Sequence, residues 1–510
     1  MQFIKIPEYS CLLFICFCIH AFSPAQTPVS GTLSGFLPAS GSPYLVEGDI
    51  IIDDNTTLTI EPGTTFDFQG FYSIIVNGCL LAVGTLTDTI LFTYTGVPDT
   101  CSNGLLSWDG IKFPQTGSNN DSSILEYCHF TNIKDGYLYG KKELILVDRF
   151  DKLRVSHCLF TNSSSCLVEV DSASFIFSNN RIENNVLWFY HLFTSDSAQI
   201  KFLGNRVENN YRRTGNSLSL WKSDVVIINN EFIHNTTYYG GTQIMCDSCK
   251  GNINSNLFTE NYNTNVEPMN PDYTLGGTMC LFDSELFIVN NTFYDNYAGW
   301  GGAIAFQGTG NYALVNNIFS NDTALYDHNH LWANTAVVVE LSYCLFNDSI
   351  QFSGSNITAY NILETNPLYA DTAAGDFSLS SVSPCINAGN PDTTGLGLPA
   401  FDLKGNPRLF GGRIDMGAIE SDVTMNIICP DREQDILIYP NPADSRIVAG
   451  CVDGGKYDSF SIYTTTGAVV QTGRINGNPV EIDVSGLTCG TYLICLIRPG
   501  SSECRVFVLK

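Results

Sequence analysis

"NNTFYDN", residues 290–296, recurs along this chain in varied form. The close copies are "NNRIENN" (179–185), "GNRVENN" (204–210), "NNEFIHN" (229–235), "SNLFTEN" (255–261) and "NNIFSND" (316–322). The looser copies are "YCHFTNI" (127–133), "HCLFTNS" (157–163) and "YCLFNDS" (343–349). Every copy has an apolar residue at its centre and Asn or Asp within the next three positions. Such a recurrence indicates a structural repeat rather than a catalytic motif.

The spacing of the copies predicts a solenoid. The central residues are Phe130, Phe160, Ile182, Val207, Phe232, Phe258, Phe293, Phe319 and Phe346. The steps between them are 30, 22, 25, 25, 26, 35, 26 and 27 residues, with a mean of 27, and periods of this size are typical of solenoids. Apolar β-formers alternate and helical periodicity is absent, which excludes helical solenoids. A leucine-rich repeat would need a regular Leu ladder, which is also absent.

We therefore predict an all-β fold, a right-handed parallel β-helix over residues 26–420. Coils stacked about 4.8 Å apart would align equivalent side chains in rows. Phe293 then lies in the core, and Asn296 belongs to a ladder at a sharp turn, where Asn tolerates left-handed backbone. Glycine pairs mark another corner, because "GGTQI" (240–244), "GGTMC" (276–280) and "GGAIA" (301–305) each precede a strand. The segment "YNTNVEPMNPDYTL" (262–275) carries about ten extra residues.

The repeats resemble a known group of surface proteins. Phe-x-x-Asn combined with Gly-Gly-Ala-Ile is similar to the repeats of polymorphic outer-membrane and autotransporter-like β-helix proteins. "LTIEPGTTFDF" (58–68) and "WDGIKF" (108–113) resemble opening coils of that group. "SPCINAG" (383–389) and "FDLKGNPRLFGGRIDMGAIE" (401–420) resemble its closing segment. The resemblance implies a secreted or surface-displayed β-helix.

A composition shift follows Glu420. Residues 421–435 read as a linker, and residues 436–510 show short alternating strands typical of a small β-sandwich. This last stretch resembles the type A C-terminal sorting domain of the bacterial type IX secretion system. The matching residues are Tyr439, Pro440, Asn441, Pro442 and Ala443, Gly467, Asp483-Val484-Ser485-Gly486-Leu487, Gly490-Thr491-Tyr492 and the terminal Lys510. Cys451, Cys489, Cys495 and Cys504 depart from the usual pattern and leave the disulfide state of this domain open.

The N-terminus indicates export as well. Lys5 precedes the apolar run "CLLFICFCIHAF" (11–22), and Ser23 and Ala25 suit cleavage, so residues 1–25 read as a signal peptide. That run is too short to span a membrane, and no later stretch qualifies. The sorting domain implies passage through the periplasm and across the outer membrane of a Gram-negative bacterium by the type IX machinery. Release and lipopolysaccharide anchoring both stay open.

The net charge argues against one class of binding partner, and the cysteine count limits the possible disulfide pairing. With 25 Lys+Arg against 51 Asp+Glu, the net charge is −26, which argues against nucleic acid as a binding partner.

Three of the 18 Cys lie in the signal region, and the remaining fifteen are an odd number, so at least one is unpaired or pairs between chains. Cys128, Cys158 and Cys344 hold equivalent repeat positions, which predicts a buried row. For "CDSC" (246–249), a local disulfide or plain loop cysteines are favoured over a metal or redox role.

Catalytic motifs are absent. The chain has no serine-hydrolase elbow, P-loop, dinucleotide fingerprint or H-E-x-x-H, so we predict no catalytic residue, cofactor or metal site. The two histidines of "DHNHLW" (327–332) are interpreted as loop residues. Arg181, Glu183, Arg206 and Glu208 are interpreted as cross-coil ion pairs.

One pair of carboxylates suggests chemistry. Glu260 and Asp295 occupy the same repeat position in successive coils. Paired acids at such a separation could perform retaining glycoside hydrolysis or bind calcium. A solvated polar turn row predicts the same residues, and that interpretation is preferred.

Aromatic residues give the better functional signal. Tyr238, Tyr239, Tyr262, Tyr273, Tyr297 and Trp300 fall in one turn region of the coils or in the inserted segment. Rings on a regular β-surface can stack on sugar faces, while a purely structural stack between coils is the alternative. The predicted function is a non-enzymatic adhesin or glycan-binding protein. The alternative is a polysaccharide lyase or glycoside hydrolase on a β-helix scaffold.

Overall fold

The computed structural model describes most of the chain between residues 26 and 510. The described ranges are 26–96, 107–115, 120–133, 143–188, 190–264, 275–327, 329–334, 336–348, 356–409, 412–421, 436–451, 457–464, 469–475, 477, 479–498 and 501–510. The predicted signal peptide (1–25), nearly all of the predicted linker (422–435), Tyr273 and Gly467 lie outside these residues. Within the described ranges, no helix is long and apolar enough to cross a membrane.

Residues 27–364 wind into a stack of coils whose strands pair in parallel. A central coil runs through four strands, Asp224–Ile228, Glu231–Ile233, Thr236–Tyr239 and Ile244–Asp247. Each strand belongs to a different stack of parallel strands, and these stacks are named below as sheet 1, arm 2a of sheet 2, sheet 3 and arm 2b of sheet 2, in the same order. This arrangement is a parallel β-helix, as the repeat predicts.

Sheet 1 has 13 strands in the described part of the chain. They are Gly35–Leu37, Thr57–Ile60, Cys79–Val83, Ser123–Glu126, Leu153–Ser156, Ser174–Ser178, Gln199–Leu203, Asp224–Ile228, Lys250–Asn254, Glu285–Val289, Asn311–Val315, Val338–Ser342 and Ile357–Tyr360.

Sheet 2 has 24 described strands in two arms, which meet at the long strand Tyr44–Ile52. Arm 2a contains Thr27–Thr32, Tyr44–Ile52, Thr65–Phe68, Ile90–Thr93, Cys128–Thr131, Leu159–Thr161, Arg181–Glu183, Arg206–Glu208, Glu231–Ile233, Leu257–Thr259, Thr292–Tyr294, Ile318–Ser320, Leu345–Phe346 and Leu363–Glu364. Arm 2b contains Ile74–Val76, Ile111–Phe113, Glu143–Asp148, Cys166–Asp171, Phe193–Asp196, Leu218–Trp221, Ile244–Asp247, Met279–Phe282, Ile304–Gln307 and Leu331–Ala333.

Sheet 3 is confined to the middle and later coils. Its six described strands are Val186–Leu187, Tyr211–Thr214, Thr236–Tyr239, Tyr262–Asn263, Tyr297–Trp300 and Thr323–Asp327. An antiparallel pair, Tyr369–Asp371 and Asp376–Leu379, follows the coils. Short 3₁₀ helices lie at Ala39–Gly41 and Thr372–Ala374.

The opening heptapeptide now has a residue-by-residue explanation. Phe293 points into the core and is fully buried, stacked on Phe258 at 5.0 Å and on Phe319 at 4.7 Å between ring centroids. Asn290 and Asp295 take left-handed backbone, with φ of 54° and 52°. Asn291 and Asn296 follow them and are buried. The turn and the ladder are therefore adjacent residues, whereas the sequence analysis assigned both roles to one Asn.

Two buried side-chain ladders run along the coils. Ladder 1 consists of Asn180, Asn205, Asn230, Asn256, Asn291 and Asn317, and ladder 2 of Asn185, Asn210, Asn235, Asn261, Asn296 and Asp322. In both, the backbone N–H and the Nδ2 of every Asn except Asn317 donate to the side-chain oxygen of the next coil, at 2.7–3.2 Å. Nδ2 also donates to a backbone carbonyl of the preceding coil, as from Asn210 to Ile182. The ladders satisfy backbone groups at corners where regular pairing stops.

Residues 366–421 form a closing segment that returns along the outside of the coils. Nδ2 of Asn290 donates to the carbonyl oxygens of Asp415 and Gly417 at 2.8 and 3.2 Å. Ile318, Leu345, Leu379, Cys385 and Met416 form a satellite core beneath this segment. Outward residues of arm 2a such as Thr292 are therefore buried.

The charged residues of the closing motif hold that segment together. Arg408 and Glu420 are almost fully buried and lie 3.4 Å apart. Backbone N–H groups of Glu420 and Ser421 donate to carboxylate oxygens of Asp402 and Asp415, at 2.7 Å each. Burial raises the pKa of Glu420 to about 8. These groups face one another rather than solvent, so the motif "FDLKGNPRLFGGRIDMGAIE" is structural.

The C-terminal domain consists of two antiparallel sheets. One contains Ile436–Tyr439, Arg446–Cys451 and Val480–Asp483, and the other contains Val469–Arg474, Ser459–Thr464, Gly490–Arg498 and Ser501–Leu509. Both sheets contribute to one core, for example Ile447 and Ile482 from the first and Ile462, Ile494 and Phe507 from the second. The predicted β-sandwich is thereby confirmed.

The described sorting-motif residues tie the two ends of this domain together. Asn441 Oδ1 accepts from the Val508 N–H at 2.9 Å, while Tyr439 is exposed and Ala443 is buried. Tyr492 is buried, and its hydroxyl donates to the Thr488 carbonyl at 2.7 Å. Cys495, which lies opposite Cys504 in the register, is disulfide-bonded, whereas Cys489 is free.

Candidate functional site

The outer side of sheet 3 carries a concentration of aromatic side chains. Successive strand residues face opposite sides, so the first and third positions of each strand face outward here. The first positions form a row in parallel register: Val186, Tyr211, Thr236, Tyr262 and Tyr297. Trp188 directly follows the two-residue strand Val186–Leu187, and Arg213 and Tyr238 hold the third positions of the next two strands. We define Trp188, Tyr211, Tyr238, Tyr239, Tyr262 and Tyr297 as the aromatic face.

Four rings of the aromatic face are strongly exposed. Their exposed fractions are 46% for Trp188, 37% for Tyr211, 40% for Tyr238 and 38% for Tyr239. The rings of Tyr238 and Tyr239 meet edge to face, with centroids 4.5 Å apart and planes at 79°. Large exposed apolar groups in one place typically mark a contact surface.

Arg213 joins three coils of this surface. Its guanidinium carbon lies 5.4 Å from the Trp188 ring centroid and 5.7 Å from that of Tyr239. Both distances are within the range of a cation–π interaction. The two rings belong to the coils before and after Arg213, so the three side chains form a ring–cation–ring stack across three coils.

The predicted site residues separate into three groups. Tyr238 and Tyr239 are exposed, and Tyr262 and Tyr297 are half-buried neighbours in the same row. Trp300 packs instead between coils, with its ring centroid 5.4 Å from Tyr326 and 5.9 Å from Trp332. It belongs to an inter-coil cluster, which was the alternative interpretation for these aromatics. Tyr273 lies outside the described residues.

The Glu260–Asp295 pair lies beside the aromatic face. Glu260, with φ of 53°, and Asp295 both occupy a left-handed corner row that also includes Asn184, Asn209 and His234. Oε2 of Glu260 is 2.7 Å from Nε2 of His234. The Tyr262 hydroxyl donates to Asp295 at 3.1 Å. Burial, together with the Glu260 charge, raises the pKa of Asp295. Each acid has its own partner, which favours the turn-row interpretation over paired catalytic acids.

A groove of about 510 Å³ adjoins the aromatic face at Tyr239. Its lining includes His191, Gly215, Gly241 and Thr242. Nδ1 of His191 accepts the Asn216 N–H at 2.9 Å, so this nitrogen carries no proton. The glycines are required by close packing, because a Cβ on Gly241 would lie 2.3 Å from the Gly215 carbonyl oxygen. The volume is typical of small-ligand clefts.

A larger groove of about 600 Å³ lies beside the closing segment. Leu257, Phe377, Phe401 and Leu403 line it together with Glu231 and Lys404. Two of its three charged groups form ion pairs, Glu231 with Arg206 at 2.7 Å and Lys404 with Asp376 at 2.6 Å. The third, Asp402, accepts the Glu420 N–H at 2.7 Å. The charged groups of this groove are therefore already held by partners within the chain.

Beneath the aromatic face lies a buried arginine. Arg212 is fully buried and donates to the Gly215 carbonyl, the hydroxyls of Ser217 and Thr237, and the Gln243 side-chain oxygen, at 2.6–3.3 Å. Burial lowers its pKa to about 9. Its side chain braces the wall of the groove from inside, and the sequence analysis did not identify it.

Other polar residues have structural roles. Arg181 pairs with Glu183 and Arg206 with Glu208 within their own strands, at 2.6 Å each. Of these four residues, Arg206 also pairs across coils, with Glu231 at 2.7 Å. His330 lies between the strands Thr323–Asp327 and Leu331–Ala333, as a loop residue, but it is only 4% exposed, between Asp322 at 3.1 Å and Asp348 at 2.5 Å. His328 lies outside the described residues.

The described cysteines of the β-helix are buried. Cys128, Cys158 and Cys344 occupy the ladder 1 position in their coils and are free thiols. Cys246 and Cys249 of the "CDSC" motif are likewise buried and free. The described residues contain no cluster of three His, Cys, Asp or Glu side chains arranged to hold a metal ion.

Trp188 and Arg213 are the surface residues that the sequence analysis missed. Each lies six residues after the core residue of its coil, the position that Tyr238 holds in the next coil. The position four residues after the core residue predicts Tyr211, Tyr262 and Tyr297, but it does not predict Trp188 or Arg213. The position six residues after the core residue, which is the second outward position of the same turn region, would have identified both residues from the sequence.

Family comparisons agree with both parts of the chain. Residues 115–270 match the right-handed β-helix region, and residues 437–510 match the secretion system C-terminal sorting domain. The long domain is thus a right-handed parallel β-helix. The sorting domain implies recognition by the type IX secretion machinery, export across the outer membrane and a secreted or cell-surface location. No curated protein sequence matches.

Two solved structures show a distant likeness. Pectate lyase Pel9A is 12% identical, with 73% of this chain and 89% of that chain covered and a TM-score of 0.36. The Agl-KA catalytic domain is 12% identical, with 60% of this chain and 63% of that chain covered and a TM-score of 0.29. Likeness at this level carries no argument about activity.

Proposed function

We propose that this protein is a non-enzymatic glycan-binding protein or adhesin, presented outside the cell, and that it binds through the aromatic face. The observation that carries the proposal is the exposure of Trp188, Tyr211, Tyr238 and Tyr239 on one side of three adjacent coils. Several exposed rings clustered in one place typically mark a contact surface, which a single exposed ring does not.

The shape of the surface suits an extended polymer. Equivalent side chains recur at about the 4.8 Å spacing of the coils, so ring faces line a nearly straight path. Flat aromatic faces contact the C–H faces of sugars, while phenol hydroxyls reach sugar hydroxyls. Because the surface is shallow, each ring contributes modestly to the binding affinity. Simultaneous contacts along a polymer raise the overall affinity further.

The competing enzymatic proposal depends on Glu260 and Asp295. Their partners, His234 and Tyr262, hold them at turn positions. Arg206, on a strand two coils before Glu260, is itself paired with two glutamates. Binding without turnover is therefore the function we favour. The experiment below measures both binding and product formation.

The test is a glycan array with the purified full-length protein, read for retained protein and for new reducing or unsaturated ends. The double variant Tyr238→Ala/Tyr239→Ala is expected to lose at least ten-fold in affinity with its melting temperature unchanged, because both rings are exposed. The matched control is Phe287→Ala, an exposed ring on the outer face of sheet 1. Trp300→Ala is unsuitable because Trp300 packs between coils.

Absence of binding across the array would refute the proposal. So would a double variant that binds as tightly as the wild type. Product formation abolished by Glu260→Gln or Asp295→Asn would replace it with the enzymatic alternative.

A further inference from the structure

Arg213 differs from most other arginines of the β-helix in its partners. The arginines that pair with a carboxylate are Arg149, Arg154, Arg181, Arg206 and Arg408. Arg213 makes no ion pair with any residue that the structure describes, although the chain carries twice as many acidic as basic groups, 51 against 25. Its described contacts are the ring faces of Trp188 and Tyr239.

The N–H donors of this guanidinium remain available for a ligand. The group carries five of them, and none donates a hydrogen bond to any residue that the structure describes. The two neighbouring rings hold the cation at the surface without pairing its donors. A half-buried, oriented guanidinium among exposed rings is a suitable bidentate donor to a carboxylate or sulfate.

We propose that the aromatic face recognises an acidic glycan, one that carries carboxylate or sulfate groups, and that Arg213 contacts the anionic group while neighbouring rings stack on the sugar. This inference rests on the proposed glycan-binding function and specifies its ligand class. A neutral glycan would use the same rings without the charge-assisted hydrogen bonds.

The overall charge makes this local cation necessary. A net charge of −26 repels an anionic polymer at long range. At about 0.15 M salt the Debye length is only about 8 Å, so the repulsion is largely screened while a direct contact persists. Selectivity for acidic chains must then come from Arg213 itself rather than from the surrounding field.

The experiment uses the full-length protein at 0.15 M salt and two matched pairs of polymers. Polygalacturonate is compared with its methyl ester for carboxylate, and dextran sulfate with dextran for sulfate. We expect the acidic member of at least one pair to bind ten-fold or more tighter than its neutral member, and the pair identifies the anionic group. Arg213→Gln should remove that preference while changing neutral binding less than two-fold.

Two further variants separate recognition from folding. Arg213→Lys keeps the charge but loses the planar fork, so it should retain only part of the preference and keep the fold if Arg213→Gln does not. Arg181→Gln, an exposed arginine paired with Glu183, is the matched control and should leave the preference intact.

The possible failures are distinguishable. If the wild type binds none of the four polymers, both the glycan-binding function and this inference fail for these probes. If it binds acidic and neutral members equally, or if Arg213→Gln weakens both members of a pair equally, the inference is overturned while glycan binding stands. Arg213 would then only brace the rings.

Discussion

Replacing one amide of ladder 2 tests the physical basis of the repeat. Asn210 is buried, and its side chain makes four hydrogen bonds. Its Oδ1 accepts from the backbone N–H and Nδ2 of Asn185, at 3.1 and 2.9 Å. Its Nδ2 donates to the Ile182 carbonyl and to Asn235 Oδ1, at 2.9 and 3.0 Å. Asn210→Ala removes all four and leaves the Asn185 N–H without that acceptor.

The magnitude follows from these bonds. A buried hydrogen bond contributes about 1 kcal/mol net, and an orphaned buried donor costs about 1–3 kcal/mol. Four lost bonds therefore predict a destabilisation of about 4 kcal/mol. The neighbouring Asn209, with φ of 54°, is exposed and serves the turn. Asn209→Ala should cost only about 1 kcal/mol, the strain of an alanine in left-handed backbone.

Native-state hydrogen exchange can resolve these effects coil by coil. Exchange at the Asn185 amide should accelerate by roughly 10³-fold in Asn210→Ala, since about 1.4 kcal/mol corresponds to a factor of ten. Coils far from residue 210 should change much less, because a solenoid is stabilised by neighbour contacts. Equal effects from Asn209→Ala and Asn210→Ala would show that the ladder does not determine coil stability.

Three other changes have expected outcomes. Phe293→Ala, at a fully buried and stacked ring, should destabilise the protein by about 3–5 kcal/mol in denaturant titrations, against less than about 0.5 kcal/mol for the exposed Phe287→Ala; equal effects would contradict the core assignment. Burial lowers the pKa of His330, but the hydrogen bonds and charges of Asp322 and Asp348 outweigh it and raise that pKa to about 9 from an ordinary value of 6.5. This stabilisation is complete below about pH 6.5 and is lost as pH rises through about 9, so the melting temperature should fall across that window in the wild type and stay flatter in His330→Asn; parallel pH profiles would refute the assignment. Deleting residues 436–510 should trap the protein in the periplasm, and surface labelling at wild-type level would contradict this role of the sorting domain.

The repeat register could be predicted because each coil repeats the same short-range pattern. The core row from Phe130 to Phe346 appears at one position of every copy, and the structure pairs these residues in parallel register. Turn residues and ladder residues are also local features of each copy. Nine copies of a weak signal therefore fix the fold and the identity of the inward row.

The closing segment illustrates what local patterns leave undetermined. Thr292 occupies an outward position, which in an isolated coil would be exposed. It is buried because its Oγ1 accepts the Ala418 N–H, 126 residues further along the chain. Contacts at such separations have no periodic signature. For the same reason the repeat could not show which outward rows stay exposed.

The aromatic face was only partly predictable for a different reason. Sequence spacing places rings at corners, but it does not distinguish a ring packed against the next coil from an exposed one. Trp300 and Tyr239 hold corresponding corner positions in their strands, yet Trp300 meets Tyr326 and Trp332 while Tyr239 meets Tyr238 and Arg213. The difference arises from neighbours in adjacent coils.

The end of ladder 2 shows how a repeat stops. Each ladder Asn accepts from one neighbouring coil through Oδ1 and donates to the other through Nδ2, so the ladder has a direction. Asp322 still accepts both donors of Asn296, at 3.0 and 2.8 Å, and its second oxygen lies 3.1 Å from Nδ1 of His330. An Asn at this position would turn its own NH₂ toward a protonated histidine, placing two donors face to face. Asp322 and His330 are therefore complementary, and Asp348 balances the remaining imidazolium N–H at 2.5 Å. Within "DHNHLW", His330 is therefore better explained as part of the polar termination of the amide ladder than as a metal ligand.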